Sequence, residues 1–122
     1  MTATPTATLA MVSLDCADPA RQAAFYHEVL GWEITHSQDE YAMVSDGTTS
    51  IGFGRVEGYR PPAWPDTGAA KRYHLDLYVD DLDEAERRCV AAGAGRPDFQ
   101  PGETWRVLTD PAGQPFCICV KS

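Results

Sequence analysis

The sequence predicts an α+β fold made of two βαβββ modules that line a common cup. Three observations carry this. Two helix starts stand 63 residues apart, at Asp18 and Asp81. A strand precedes each, and short strand candidates follow each, which is an internal repeat. Apolar and polar residues alternate in several of those strands, so one face packs under a helix and the other faces a wetter space.

The first helix begins in "ADPARQAAFYHEVLGW". Asp18 suits an N-cap, and Pro19 loses nothing at the first helical position, where its missing N–H would be unsatisfied anyway. Phe25, Tyr26, Val29 and Leu30 recur at helical spacing, and Gly31 ends the helix. In the second module Asp81 caps, and Glu84 stands at the capping-box position. Leu82, Ala85, Cys89 and Ala92 form the apolar stripe before Gly93.

The strands before the helices read "TLAMVSLDC" and "RYHLDLYV". After the first helix come "WEITH", "YAMVS" and "SIGFGRV"; after the second come "GRPDF", "TWRVLT" and "PFCICVK". About eight strands are therefore expected. The modules run from about 7 to 56 and from about 72 to 121 within a single domain spanning 1–122. The stretch 57–71, rich in Pro and Gly and carrying Trp64, reads as a linker.

In the second strand pattern Leu75, Leu77 and Val79 share the helix side, leaving His74, Asp76 and Tyr78 opposite. In the first, Ala10, Val12 and Leu14 oppose Leu9, Met11, Ser13 and Asp15. In the last strand Phe116, Ile118 and Val120 oppose Cys117 and Cys119. A strand-lined concavity of this kind is the default place for a small ligand.

With 18 acidic and 10 basic residues, the chain carries a net charge of −8. That balance argues against a nucleic-acid backbone or an anionic membrane surface as partner. No apolar run approaches the roughly 20 residues of a membrane span. The opening "MTATPTATLAM" has no basic stretch followed by an apolar one, so it reads as a lead-in rather than a signal peptide, and a cytoplasmic location is expected. Cys16, Cys89, Cys117 and Cys119 include no CxxC pair, and they read as reduced residues packed as small hydrophobes.

The fragments "LDCADPARQAAFYHEVLGWE", "HLDLYVDDLDEAERRCVAAGA" and "DPAGQPFCICV", in this order and spacing, resemble the vicinal oxygen chelate superfamily. That superfamily includes glyoxalase I, extradiol dioxygenases and bleomycin-resistance proteins. The resemblance runs from about Leu9 to Val120 and is strongest to the glyoxalase-like domain group. It implies the glyoxalase/bleomycin resistance/dioxygenase fold, an open barrel of paired modules around a pocket. It also implies that metal-dependent members take one ligand from the first and one from the last strand of each module.

His74, seven residues before the second helix cap, stands in one such position. Its counterpart in the first module is Met11 if the caps are aligned, or Ser13 if the two "LD" pairs are. Cys117 stands where the last strand normally supplies a Glu, and Ile51 or Phe53 stands in the corresponding strand of the first module. One position in four keeps the usual chemistry, whereas zinc, iron or nickel needs about three protein ligands. The expectation is therefore no metal cofactor, with His74 on the cup wall. A divalent ion such as Zn, Ni or Fe held by His74, Cys117 and Asp76 is the alternative.

The expected function is binding of a small, partly apolar or aromatic molecule without a complete family metal site, serving sequestration or metal-free acid–base chemistry. The alternative is a metal-dependent lyase, isomerase or dioxygenase. The expected ligand-binding residues are Met11, Ser13, Phe53, Trp64, His74, Asp76, Tyr78, Trp105 and Cys117, and no catalytic residue is assigned. Exposed sheet edges and apolar rims predict a homodimer.

Overall fold

A computed structural model describes residues 4–62, 64 and 73–120. The elements run β1 (Val12–Cys16), α1 (Pro19–Leu30), β2 (Glu33–Ser37), β3 (Tyr41–Ser45), β4 (Ser50–Arg55), β5 (Leu75–Val79), α2 (Leu82–Ala92), β6 (Trp105–Thr109) and β7 (Pro115–Val120). Most of the expected linker, at 63 and 65–71, lies outside the described residues, as does Arg72 at the expected start of the second module. No helix among the described residues is long and apolar enough to cross a membrane.

Both helices start where the capping chemistry places them. The Asp18 carboxylate accepts from the Arg21 N–H at 3.2 Å, and the Asp81 carboxylate accepts from the Glu84 N–H at 3.1 Å. Gly31 closes α1 at φ 73°, a left-handed conformation that costs glycine nothing.

The strands form two sheets. The first has four strands in the order β1-β4-β3-β2, and the second has three in the order β5-β7-β6. In each, the first strand runs parallel to the last, with Ser13 opposite Gly52 and Asp76 opposite Cys117. The duplication is thus visible in the pairing itself.

One strand is missing. "GRPDF" does not form the expected fourth strand of the second module; Gly95 makes only an isolated bridge to Thr109. Pro97 lacks the N–H that a continuing ladder needs. The side chain of Gln100 takes over the pairing. Its carbonyl accepts from the Val107 N–H at 2.9 Å and its amide donates to the Val107 carbonyl at 3.0 Å, as a strand peptide would.

The core sits between the helices and the helix-facing sides of both sheets. Phe53 lies parallel to Tyr26 at 5.4 Å, and Phe116 meets both Phe25 and Tyr26 edge-on. Leu14, Leu75, Leu77 and Val79 pack against this cluster, as their alternation requires. Arg106, on the helix side of β6, pairs with Asp83 at 2.6 Å and Glu86 at 3.1 Å and so ties α2 to its sheet.

The two modules are fastened through the "DPAGQ" turn. The buried Asp110 carboxylate accepts from Gln22 Nε2 at 2.9 Å, Tyr26 Oη at 2.8 Å, and the N–H groups of Ala112 and Gln114. Gln22 and Tyr26 belong to α1, so a turn of the second module is latched to the helix of the first. Burial beside this carboxylate pushes the Tyr26 phenol well above its ordinary pKa, which keeps it a hydrogen-bond donor.

Candidate ligand site on the open sheet faces

The faces turned away from the helices carry most of the residues singled out above. His74 stands just before β5, and its Nε2 lies 3.2 Å from the Asp76 carboxylate on that strand. The register then sets Asp76 beside Cys117 and Val107, and Tyr78 beside Cys119 and Trp105. Directly opposed residues share a face, so these six form two adjacent rows across the second sheet. One donor atom each from His74, Asp76 and Cys117 falls within 4.8 Å of the others.

Depth varies sharply across this face. Tyr78 is 72% exposed, whereas Cys117 is 3% and Val107 0% exposed, although both face away from the helices. The rim is therefore open and the centre closed. The segment after Gly95 bends over β6 at this edge. There Gly102 lies so close to the Trp105 ring that a Cβ would fall 2.2 Å from its carbons, and Phe99 meets Trp64 at 6.0 Å.

The first sheet presents Ser13 and Asp15 from β1 on its open face, with Met11 just before the strand. Beside them stand three residues that the periodicity did not single out as site residues. The Tyr41 hydroxyl sits 3.1 Å from the Met11 sulfur and 3.4 Å from that of Met43, and His36 packs edge-on to the Tyr41 ring. A Cβ at Gly52 would lie 2.7 Å from the Tyr41 hydroxyl, so glycine is what lets this ring lie across the strand. The signal was present, since Tyr41 and Met43 alternate with Ala42 and Val44. It points to a site only once the open face is known.

Phe53 requires correction. It is fully buried on the helix side against Tyr26, not on the open face, and Ile51 points the same way. The apolar positions of "SIGFGRV" fill the core, and the open-face positions are Gly52 and Gly54. The structure also settles the repeat. Both β1 to β5 and the two caps shift by 63 residues, which makes Met11 the counterpart of His74 and Ser13 that of Asp76. The pairs Ser13–Gly52 and Asp76–Cys117 then make Gly52 the counterpart of Cys117.

A metal set shared by both modules does not fit this chain. Its four positions are Met11, Gly52, His74 and Cys117, so the first module offers only a thioether, already against Tyr41, and no side chain at all. The remaining thiols also differ in setting. Burial pushes Cys16 up to about 11 and raises Cys89 as well, so both stay protonated and unreactive near neutral pH.

A second concavity of about 750 Å³ runs between α1 and α2, lined by Arg21, Phe25, Glu28, Ala85, Arg88 and Cys89 among others. Its charged residues, Arg21, Glu28, Asp80, Asp81, Glu84 and Arg88, are of mixed sign, and its lining holds no imidazole–carboxylate–thiol cluster like that of His74, Asp76 and Cys117.

The sequence profile of the glyoxalase-like domain matches residues 11–119. The chain belongs to the glyoxalase-like domain family. Among solved structures it is similar to a glyoxalase/bleomycin resistance protein/dioxygenase family enzyme from Burkholderia phytofirmans PsJN. The two are 24% identical, with 92% of this chain and 97% of that one covered and a TM-score of 0.66. It is also similar to a bleomycin resistance determinant encoded on the transposon Tn5, at 21% identity, 95% and 99% coverage and a TM-score of 0.58.

A third similar structure is a mutant fosfomycin resistance protein from Listeria monocytogenes, complexed with Mn(II) and 1S,2S-dihydroxypropylphosphonic acid. It is 14% identical, with 97% and 93% of the chains covered and a TM-score of 0.68. At these identities the likeness shows the glyoxalase-like fold alone. No curated protein matches the chain.

Proposed function

We propose that this glyoxalase-like chain binds a small, partly apolar or aromatic molecule on the open faces of its sheets, for sequestration or for acid–base chemistry without the family's two-module metal set. One observation carries the reading: the His74–Asp76 pair, 3.2 Å apart, stands on an otherwise apolar and aromatic face with Trp105, Tyr78 and Cys117. A few convergent polar groups on an apolar wall are what fixes a ligand's orientation. Asp76 steers the imidazole, whose ring nitrogens can donate or accept a hydrogen bond to a bound molecule. Met11 and Ser13 supply the wall from the first module, with Trp64 beside Phe99 at the rim. The fold neighbours described as resistance proteins agree with a ligand-holding role.

A second reading, a metal-dependent lyase, isomerase or dioxygenase, draws on the convergence of three donors within 4.8 Å and on the Mn(II)-bound neighbour. It ranks below the first because the first module contributes no nitrogen or oxygen ligand at the shared positions. Homodimerisation belongs to the same proposal. β1 and β5 are terminal strands of their sheets, and Val12 and Tyr78 are exposed along them. A partner copy covering these edges would enclose a site that is open in one chain.

The test is a thermal-shift and titration screen of aromatic and heteroaromatic compounds. His74→Ala is expected to weaken the binding of hits about tenfold while leaving the melting temperature of the free protein within a degree or two, since this partly exposed side chain lies outside the core. Hits whose affinity is indifferent to His74→Ala would refute the reading.

A further inference from the structure

We infer that Tyr41 is the polar anchor of a subsite in the first module, where its hydroxyl donates to the neutral carbonyl oxygen of a flat aromatic ligand lying over Gly54. The inference rests on the proposed reading of the open faces as a ligand site. It adds the chemical class of the ligand and the residue that selects it.

A phenol O–H is a good donor, whereas a thioether sulfur is a weak acceptor. Among the described residues the Tyr41 hydroxyl meets only such sulfurs, Met11 at 3.1 Å and Met43 at 3.4 Å. All three residues are partly exposed. A tyrosine so placed gives its proton to a better acceptor when one is within reach. A carbonyl oxygen arriving on this face supplies one, and exchanging O–H···S for O–H···O favours binding. The donor is also fixed beforehand. A Cβ at Gly52 would stand 2.7 Å from the hydroxyl, so only glycine lets the ring lie there, and His36 packs edge-on against it.

Gly54 supplies the floor. Among the described strands β4 alone contains glycine, and a glycine within a strand weakens it unless a close approach requires it. The Tyr41 hydroxyl accounts for Gly52. A Cβ at Gly54 would meet nothing within 4 Å, so no neighbour in the chain accounts for that glycine. The pairing sets Gly54 between Asp15 and Tyr41, which leaves bare peptide beside the phenol. The face of an aromatic ring fits on it, with the polarisable thioethers of Met11 and Met43 nearby. The exposed Asp15 carboxylate and the net charge of −8 disfavour an anion, so the acceptor is a neutral carbonyl rather than a carboxylate.

The experiment titrates the full chain with acetylnaphthalene, ethylnaphthalene and naphthoate, substituted at the same ring position. Wild type is expected to bind the ketone about fivefold more tightly than the hydrocarbon, and the carboxylate more weakly than either. Tyr41→Phe keeps the ring and should lower the ketone to the hydrocarbon's affinity without changing the hydrocarbon. The infrared carbonyl stretch of the bound ketone should lie at lower frequency in wild type than in Tyr41→Phe, a difference that a loss of packing alone would not produce. Gly54→Val fills the floor and should weaken ketone and hydrocarbon about tenfold each. Its melting temperature should equal or exceed that of wild type, because valine suits a strand and its side chain meets no neighbour there.

Equal affinity of wild type for ketone and hydrocarbon, or no binding of either, would overturn the inference. So would a ketone whose affinity and carbonyl stretch are untouched by Tyr41→Phe, or naphthalenes indifferent to Gly54→Val. If other compounds bind in a His74-dependent way while these results fail, the ligand reading stands without the Tyr41 anchor. If the ketone binds through Tyr41 while no compound depends on His74, the anchor stands and the reading centred on His74 falls.

Discussion

Asp110 shows how much a single buried residue can decide. Its carboxylate takes four hydrogen bonds from Gln22, Tyr26, Ala112 and Gln114, and two of these donors come from the other module. Tyr26 belongs to the apolar stripe legible at helical spacing, whereas Gln22 lies outside that stripe. Nothing in helical periodicity distinguishes a solvated glutamine from one aimed at a carboxylate 88 residues away. Asp110→Ala leaves those donors without their acceptor in the interior, and a loss of about 3 kcal/mol is expected from urea denaturation. Tyr26→Phe keeps the ring packing and removes one bond, so a smaller loss of about 1–2 kcal/mol is expected. Equal stability for wild type and Asp110→Ala would mean that the latch is not what joins the modules. The alternation of "HLDLYV" and "PFCICV" placed His74, Asp76 and Cys117 correctly, because a strand with one face buried permits one assignment of sides. The glycines of "SIGFGRV" hid the same rule for β4, and Phe53 was assigned to the wrong side.

At the scale of elements, caps and strands were legible wherever local chemistry suffices: Asp18, Pro19 and Gly31 for α1, Asp81 and Gly93 for α2. The expected eighth strand was not, because a side chain replaces a backbone there. Gln100 occupies the edge of β6 with its own amide, bonding both the N–H and the carbonyl of Val107. No propensity scale represents a glutamine acting as a strand. Gln100→Ala should leave both groups to solvent. It should lower stability by about 1–2 kcal/mol and speed amide exchange at Val107 ahead of its neighbours. Unchanged exchange at Val107 would show that the edge is protected by something else.

At the scale of the molecule, the duplication made the architecture readable from sequence, since the same order of elements occurs twice and family membership follows from 11–119. How the open faces meet was not readable. Alternation assigns sides within a sheet and says nothing about how two sheets, or two chains, face each other. If a second copy covers the β1 and β5 edges, light scattering at micromolar concentration should give twice the 13.3 kDa of one chain. A monomer would leave both edges open to solvent and contradict the proposed assembly.

The central claim is that ligands bind on the open strand face rather than in the groove between the helices. The most direct measurement is a crystal structure of the protein soaked with the aromatic compounds found by thermal shift. The account predicts their density within contact of His74, Asp76 and Trp105. Density confined to the α1–α2 groove, against Arg21 and Arg88, with the open face unoccupied, would contradict it.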